Sequence, residues 1–208
     1  PARVYIESRR IPEKFWTDIY YCPEFWKYVA EKCNEPIKEN IIDHERIIFP
    51  LRNAMGYMIG FNARSINSIE PRYITKKITD ALKIFGQERV NANKTVFILE
   101  GPIDSLFIEN AIASCGSAID LIDCPYYHNR VWVLDNEPRN KEIVQQYYKL
   151  IKADEKIVSW KNSPWKQKDI NDILLNNDTT VEQINEYLNN HIVSGLKARL
   201  EVDQWKRI

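Results

Sequence analysis

Two short apolar runs that each end on a carboxylate constrain this chain more than any other feature. The first is VFILEGPID, Val96 to Asp104, and the second is RVWVLDNEP, Arg130 to Pro138. Apolar runs of this length without polar alternation read as buried strands. Around them strands alternate with helical patterns. The strand Thr95–Leu99 leads to a helix from about Pro102 to Asn110. A weaker strand, Ala111–Cys115, is closed by Gly116. The strand Arg130–Leu134 leads to a helix from about Pro138 to Lys152, and a short fourth strand covers Lys156–Trp160. That alternation predicts an α/β fold with a parallel sheet. Ligands of such sheets bind beyond the carboxyl ends of the strands, where these acids fall.

Glu100 directly follows the first of these strands. Gly101 permits a tight strand-to-helix turn, Pro102 suits a first helical position, and Asp104 falls in the first turn. After the Arg130 strand, Asp135 and Glu137 are two residues apart and point the same way, so they can share one cation. Pro138 is expected to start the next helix. A third element, KDIND from Lys168 to Asp172, puts Asp169, Asn171 and Asp172 in a polar turn after the fourth strand. Carboxylates gathered in one crevice repel one another. Hard divalent cations relieve that repulsion, and oxygen ligands without His or Cys point to magnesium or manganese. Such ions stabilise the charge that develops in phosphoryl or nucleotidyl transfer. Each cluster alone has a structural alternative, because an acid after a strand is often a helix N-cap or favours the helix dipole. Three clusters in sequence favour the catalytic reading.

The chain has 208 residues, enough for one or two domains that bury roughly 70% of the unfolded surface. Its 29 basic and 29 acidic residues cancel, so nucleic-acid binding would have to rest on a patch rather than on net charge. Cys22, Cys33, Cys115 and Cys124 lack the spacing of a zinc knuckle and read as reduced, mostly buried thiols. No apolar run is long enough for a transmembrane helix, and no signal peptide is expected. The chain opens on Pro1 without an initiator methionine, and the expectation is a portion of a longer protein.

Text up to about Asn40 reads helical, with Pro12 in a first turn and a helix over Glu24–Cys33 whose apolar side carries Phe25, Tyr28 and Val29. Strand patterns follow: RIIFPL at 46–51, YMIGFNAR at 57–64 after a turn over Asn53–Gly56, and RYIT at 72–75. Arg46, Arg52, Arg64, Arg72, Lys76, Lys77 and Lys83 stud this region. Arg64 and Arg72, with Tyr73, make either a nucleic-acid groove with a stacking ring or a solvated basic face over a core aromatic. Further on, Trp160, Lys161, Trp165, Lys166 and Lys168 interleave rings and cations. They could bind nucleotide or single-stranded DNA, although Trp160 reads better as cover for an apolar edge. Arg139, expected in a first helical turn, opposes the dipole there and points to a phosphate or carboxylate neighbour. His44, His128 and His191 read as surface or loop residues. Val181 to about Trp205 reads as amphipathic helix broken near His191–Gly195, with Leu188, Ile192, Leu196 and Leu200 as its stripe. It either packs on its own sheet or docks on a partner.

An acid after one strand, an acid-x-acid pair after a later one and a further acidic turn resemble the Toprim domain of DnaG-type primases, topoisomerases and related nucleases. Here these are Glu100, Asp135 with Glu137, and Asp169; the pair reads DNE where Toprim domains usually carry two aspartates. Upstream, RIIFPL, MGYMIGFNAR, EPRYIT and KIFG follow the order of bacterial primases. EGPIDSLFIEN, RVWVLDNEPR and SPWKQKDIND are similar to the primases of T-even bacteriophages. The resemblance covers essentially the whole chain and excludes that family's zinc-binding module. It implies a Toprim-type parallel sheet flanked by helices (94–178), preceded by a small basic α/β subdomain (1–93) and followed by a helical tail (179–208). It implies primer synthesis with Glu100, Asp135 and Glu137 as catalytic metal ligands and Asp104 and Asp169 in support. The cofactor would be Mg2+, replaceable by Mn2+, with no zinc. Arg64 and Arg72 match basic groove positions, Lys83 matches more loosely, and Arg139, Lys166 and Lys168 are further phosphate-binding candidates. Asn171 stands where many bacterial primases have another acid. The implied partners are single-stranded DNA, ribonucleoside triphosphates and a hexameric replicative helicase, in the cytoplasm of an infected bacterium. The rival readings are a Toprim nuclease and a non-catalytic Toprim scaffold that binds DNA and helicase.

Overall fold

The computed structural model describes residues 1–33, 35–36, 41–116 and 121–208, and the chain divides into two compact units, Pro1–Glu88 and Arg89–Ile208. The first unit is built on an antiparallel sheet in the order β1 (Tyr20–Cys22), β2 (Arg46–Arg52), β3 (Met58–Ser65), β4 (Tyr73–Lys77). The turn expected between β2 and β3 is present. Asn53 Oδ1 accepts from the backbone N–H groups of Met55 and Tyr57 at 3.0 Å each, an arrangement asparagine favours in turns. Helix α1 (Ala2–Ser8), a 3-10 turn (Glu13–Asp18) and α2 (Phe25–Cys33) accompany the sheet.

Phe25 and Val29 of α2 are buried against Cys22, Phe61 and Ala63, whereas Tyr28, expected on the same side, stays 42% exposed. The helical reading of the opening segment misses β1, whose register pairs Tyr20 with Ile48. Residues 34 and 37–40 of that reading lie outside the described residues. One of the cations that stud this stretch is internal. Arg46 is fully buried over the Phe25 ring, and it donates to His44 Nε2 (2.8 Å), the Ala63 carbonyl (3.1 Å) and the Pro71 carbonyl (2.8 Å). Burial lowers its pKa to about 10, so it stays charged at neutral pH. His44, in the loop before β2 as expected, is its partner.

The second unit carries a five-stranded sheet in the order β6 (Ala111–Ala113), β5 (Val96–Leu99), β7 (Arg130–Trp132), β8 (Lys156–Val158), β9 (Ile192–Val193). All its pairings are parallel except the last. The α/β architecture with a parallel sheet and flanking helices is as the alternation predicts. β5 is buried along its whole length, as an unalternating run requires.

Three helices differ from expectation. The one expected over Pro102–Asn110 is a single turn, α3 (Pro102–Ser105). The Asn110 side chain, donating to the Thr95 carbonyl at 2.7 Å, fixes an irregular connection instead. Helix α4 (Lys141–Lys152) starts after Pro138. Asn140 caps it, its side chain accepting from Glu142 and Ile143 N–H groups. Arg139 therefore lies outside the helix, exposed, and the dipole argument made for it does not apply. The tail is α6 (Val181–Asn190), β9 and α7 (Gly195–Trp205). The break near His191–Gly195 holds a strand that resets the helical phase. Leu188 is buried, but Leu196 and Leu200 are 75% and 52% exposed, and α7 buries Ala198, Val202 and Trp205.

The interior of this unit contains a charged pair. Buried Arg130 donates through Nε to Glu155 at 2.8 Å and through its other nitrogens to Glu155 and the Cys124 carbonyl. Trp132 Nε1 adds a third donor to Glu155 at 3.0 Å. All four cysteines are free thiols. Among the described residues, no helix is long and apolar enough to cross a membrane.

Candidate active site

β5 delivers Glu100 to the surface at its carboxyl end. Gly101 follows with ordinary φ (−96°), so its role is room rather than an unusual backbone. A Cβ there would lie 2.9 Å from Asp104 Oδ2. Asp104 reaches across to α5 (Ile170–Asn176), its Oδ1 accepting from the Asn171 N–H at 2.9 Å. Asp169 caps the same helix by accepting from Asp172 N–H at 2.8 Å. Beyond β7, a tight turn with Glu137 N–H on the Asp135 carbonyl (2.9 Å) presents the acid-x-acid pair.

Glu100, Asp104, Asp135 and Asp169 line one narrow crevice with Lys168. Glu137 joins them through that lysine, whose Nζ lies 3.3 Å from Asp135 Oδ2 and 3.3 Å from Glu137 Oε2. The fold thus gathers four of the five expected acids in one crevice beyond the parallel strands, with Glu137 linked to them through Lys168.

Burial, and then proximity, costs ionisation. Burial pushes the Asp104 carboxyl up to about 8, and the Asp169 and Asp135 charges add to the shift. Asp104 keeps some open surface as a residue, but its carboxyl group is enclosed by protein. Burial and then the Glu100 charge push Asp135 up to about 7, with Lys168 opposing the rise. Burial alone would lower Lys168. Asp135 and Glu137 outweigh it and hold the ammonium above its ordinary value. The crevice is short of positive charge.

Among the described residues, no three His, Cys, Asp or Glu side chains are gathered into a ready-made metal cage. The donors present are the hard oxygens that suit a divalent cation such as magnesium. Magnesium keeps several waters and is commonly held by one or two carboxylates plus substrate phosphates, all hard oxygens. The Lys168 ammonium between Asp135 and Glu137 marks where the pair accommodates a cation.

Asn136, read in the sequence only as a spacer between two acids, organises the site. It is buried. Its N–H donates to the Lys168 carbonyl at 2.7 Å and its Nδ2 to the carbonyls of Trp165 (3.1 Å) and Gln167 (3.2 Å). Its Oδ1 accepts from Trp205 Nε1 at 3.0 Å. A polar residue inside an otherwise apolar-to-acidic transition was the available signal. Trp160 is structural cover as favoured: its Nε1 donates to the Leu134 carbonyl at 2.7 Å and its ring stacks on Tyr187. Trp165 donates to Thr179 Oγ1 at 2.9 Å, and His191 stacks on Tyr187 at 3.8 Å. Lys166 is exposed.

No family model matches the chain. Over its whole length the chain is 40% identical to the DNA primase of Enterobacteria phage T4, and it spans 61% of that protein. The catalytic core of the E. coli primase superposes with a TM-score of 0.66 at 16% identity, over 96% of this chain and 75% of that one. The RNA polymerase domain of Mycobacterium tuberculosis DnaG gives 0.66 at 17% identity, over 91% and 75%. The fold is that of the DnaG primase catalytic core. The resemblance to the primases of T-even bacteriophages drawn from EGPIDSLFIEN, RVWVLDNEPR and SPWKQKDIND thus extends along the whole chain.

In this primase fold the basic candidates Arg64, Arg72 and Lys83 belong to the first unit. Arg64 is half-buried on β3. Its Nε donates to the Tyr5 hydroxyl at 2.8 Å, and its guanidinium sits 4.5 Å above the ring of Tyr73, its cross-strand neighbour. Tyr73 is packed beneath a cation rather than presented on its own. Arg72 is exposed, with Nε 3.3 Å from Glu70, and Lys83 is half-buried just before the buried Ile84.

Proposed function

We propose that this chain is the catalytic portion of a DNA primase, joining ribonucleotides into short RNA primers on single-stranded DNA during phage DNA replication. The observation that carries this reading is the carboxylate crevice at the ends of the parallel strands, short of positive charge and built from oxygen donors. Full-length identity of 40% to the T4 primase supports it. A DnaG catalytic domain of the same fold is bound to single-stranded DNA.

The reaction joins the 3′ hydroxyl of one nucleotide to the α-phosphate of another and releases pyrophosphate. Glu100, Asp135 and Glu137 would hold magnesium, replaceable by manganese, which when bound neutralises triphosphate charge and lowers the pKa of the attacking hydroxyl. Asp104 and Asp169 support these ligands. Asp104 ties α3 to α5, and Asp169 caps α5. Lys168, with exposed Lys166 and Arg139, offers cations to phosphate oxygens. Arg64, Arg72 and Lys83 hold the template backbone. In this reading 1–93 binds template, 94–178 is the Toprim catalytic domain and 179–208 is the tail. The remaining partners are ribonucleoside triphosphates and a hexameric replicative helicase, in the cytoplasm of the infected bacterium.

The test is incubation with labelled ribonucleotides, single-stranded DNA and magnesium. Short labelled oligomers are expected, and Glu100→Ala or Asp135→Ala should abolish them while leaving the circular dichroism spectrum unchanged. Synthesis retained in either variant rejects the assignment of acids. Cut DNA without oligomers would favour a nuclease instead.

A further inference from the structure

Lys168 stands between the two carboxylates of the acid-x-acid turn, 3.3 Å from each. It comes to that place with its backbone. The Lys168 carbonyl accepts from the Asn136 N–H, and the Asn136 side chain donates to the carbonyls of Trp165 and Gln167. Three hydrogen bonds therefore hook the 165–168 loop to the residue between Asp135 and Glu137. The lysine side chain itself is 52% exposed, so its ammonium can move into solvent without opening a packed core.

We propose that Lys168 is a resident counter-cation that holds Asp135 and Glu137 together when no divalent ion is bound and competes with that ion for them. This rests on the metal-dependent reading of the crevice. Two carboxylates without a cation repel, and an ammonium between them offsets the repulsion. A divalent ion entering the same pair meets a like charge within a few ångströms, so one of the two cations must leave. The displaced ammonium stays on a loop fixed beside the acids, where the triphosphate brings its own negative charge. Lysine then exchanges carboxylates for phosphate oxygens as the ion takes the carboxylates. Metal and nucleotide binding are thereby coupled, each tightening the other by the same factor.

The test measures Mn2+ binding to the full chain by electron paramagnetic resonance, with and without a non-hydrolysable ATP analogue. The proteins are the wild type, Lys168→Met, Lys168→Arg and Asp135→Asn. Lys168→Met should bind Mn2+ about two- to fivefold tighter than the wild type, the scale of a partly exposed ion pair. The tightening that the analogue produces should be smaller in Lys168→Met than in the wild type, the remainder being direct ligation of the ion by phosphate oxygens, and Lys168→Arg should restore both values. Mn2+ binding in Lys168→Met equal to or weaker than the wild type, with the site lost in Asp135→Asn, overturns the competition and leaves the metal reading intact. A wild type with no Mn2+ site that Asp135→Asn removes overturns both.

Discussion

The indole Nε1 of Trp205 donates to Asn136 Oδ1 at 3.0 Å, so the last helix is bonded to the residue between Asp135 and Glu137. The Arg207 N–H adds a second tie, to the Pro138 carbonyl at 2.7 Å. Trp205→Phe keeps a ring against Tyr147 but leaves a buried acceptor unpaired. It should cost about 1–3 kcal/mol in urea unfolding and raise the magnesium concentration needed for half-maximal primer synthesis. Unchanged stability would mean that the bond contributes nothing.

Asp104 and Asp135 have folded-state pKa values raised to about 8 and about 7 from an ordinary 3.8. Between the unfolded and folded values the native chain binds more protons, so these groups make stability fall as pH rises through that window and level off above it. Asp104→Asn keeps an oxygen acceptor for the Asn171 N–H and removes the titration. Measured by thermal unfolding in EDTA, the variant's midpoint should exceed the wild type's at pH 8 and approach it at pH 4. An equal difference at both pH values contradicts the buried, charge-crowded placement of Asp104.

Arg130 and Glu155 form a buried pair with Trp132 as a further donor. Arg130→Met strands a buried carboxylate and should cost about 3–5 kcal/mol, and combining it with Glu155→Leu should recover most of that loss. Chemical denaturation of the single and double variants checks it. A double variant as unstable as the single one would show that the pair does more than balance its own charges.

Arg72 is exposed, whereas Arg64 is held by Tyr5 and Tyr73. If Arg72 contacts a phosphate, Arg72→Ala should weaken single-stranded DNA binding and reduce the slope of log affinity against log salt by about 0.7, with stability unchanged. Fluorescence anisotropy over a salt series gives the slope. An identical slope removes Arg72 from the interface.

The parallel strands and their terminal acids were legible because unalternating apolar runs such as VFIL have few other solutions, and because a carboxylate directly after a buried strand can only emerge at its end. Tertiary roles were not. Lys168 as an ion-pair partner and Asn136 as a four-way junction depend on segments about thirty and seventy residues apart meeting in space. The burial of Arg46 was not legible, because nothing local reveals that carbonyls from two other segments surround it. The stripe drawn through Leu196 and Leu200 assumed one continuous helical phase, and a two-residue strand was enough to rotate the last helix. Helix starts shifted where a better cap, Asn140, outcompeted Pro138.

A crystal soaked with manganese and a ribonucleoside triphosphate, with diffraction recorded at the manganese edge, bears most directly on the shared-cation crevice. The expected result is an anomalous peak against the Asp135 and Glu137 carboxylates, on the Glu100 side of the crevice, with phosphate oxygens completing its coordination. A peak only elsewhere, or none with nucleotide bound, would contradict a metal-dependent nucleotidyl-transfer site at these residues.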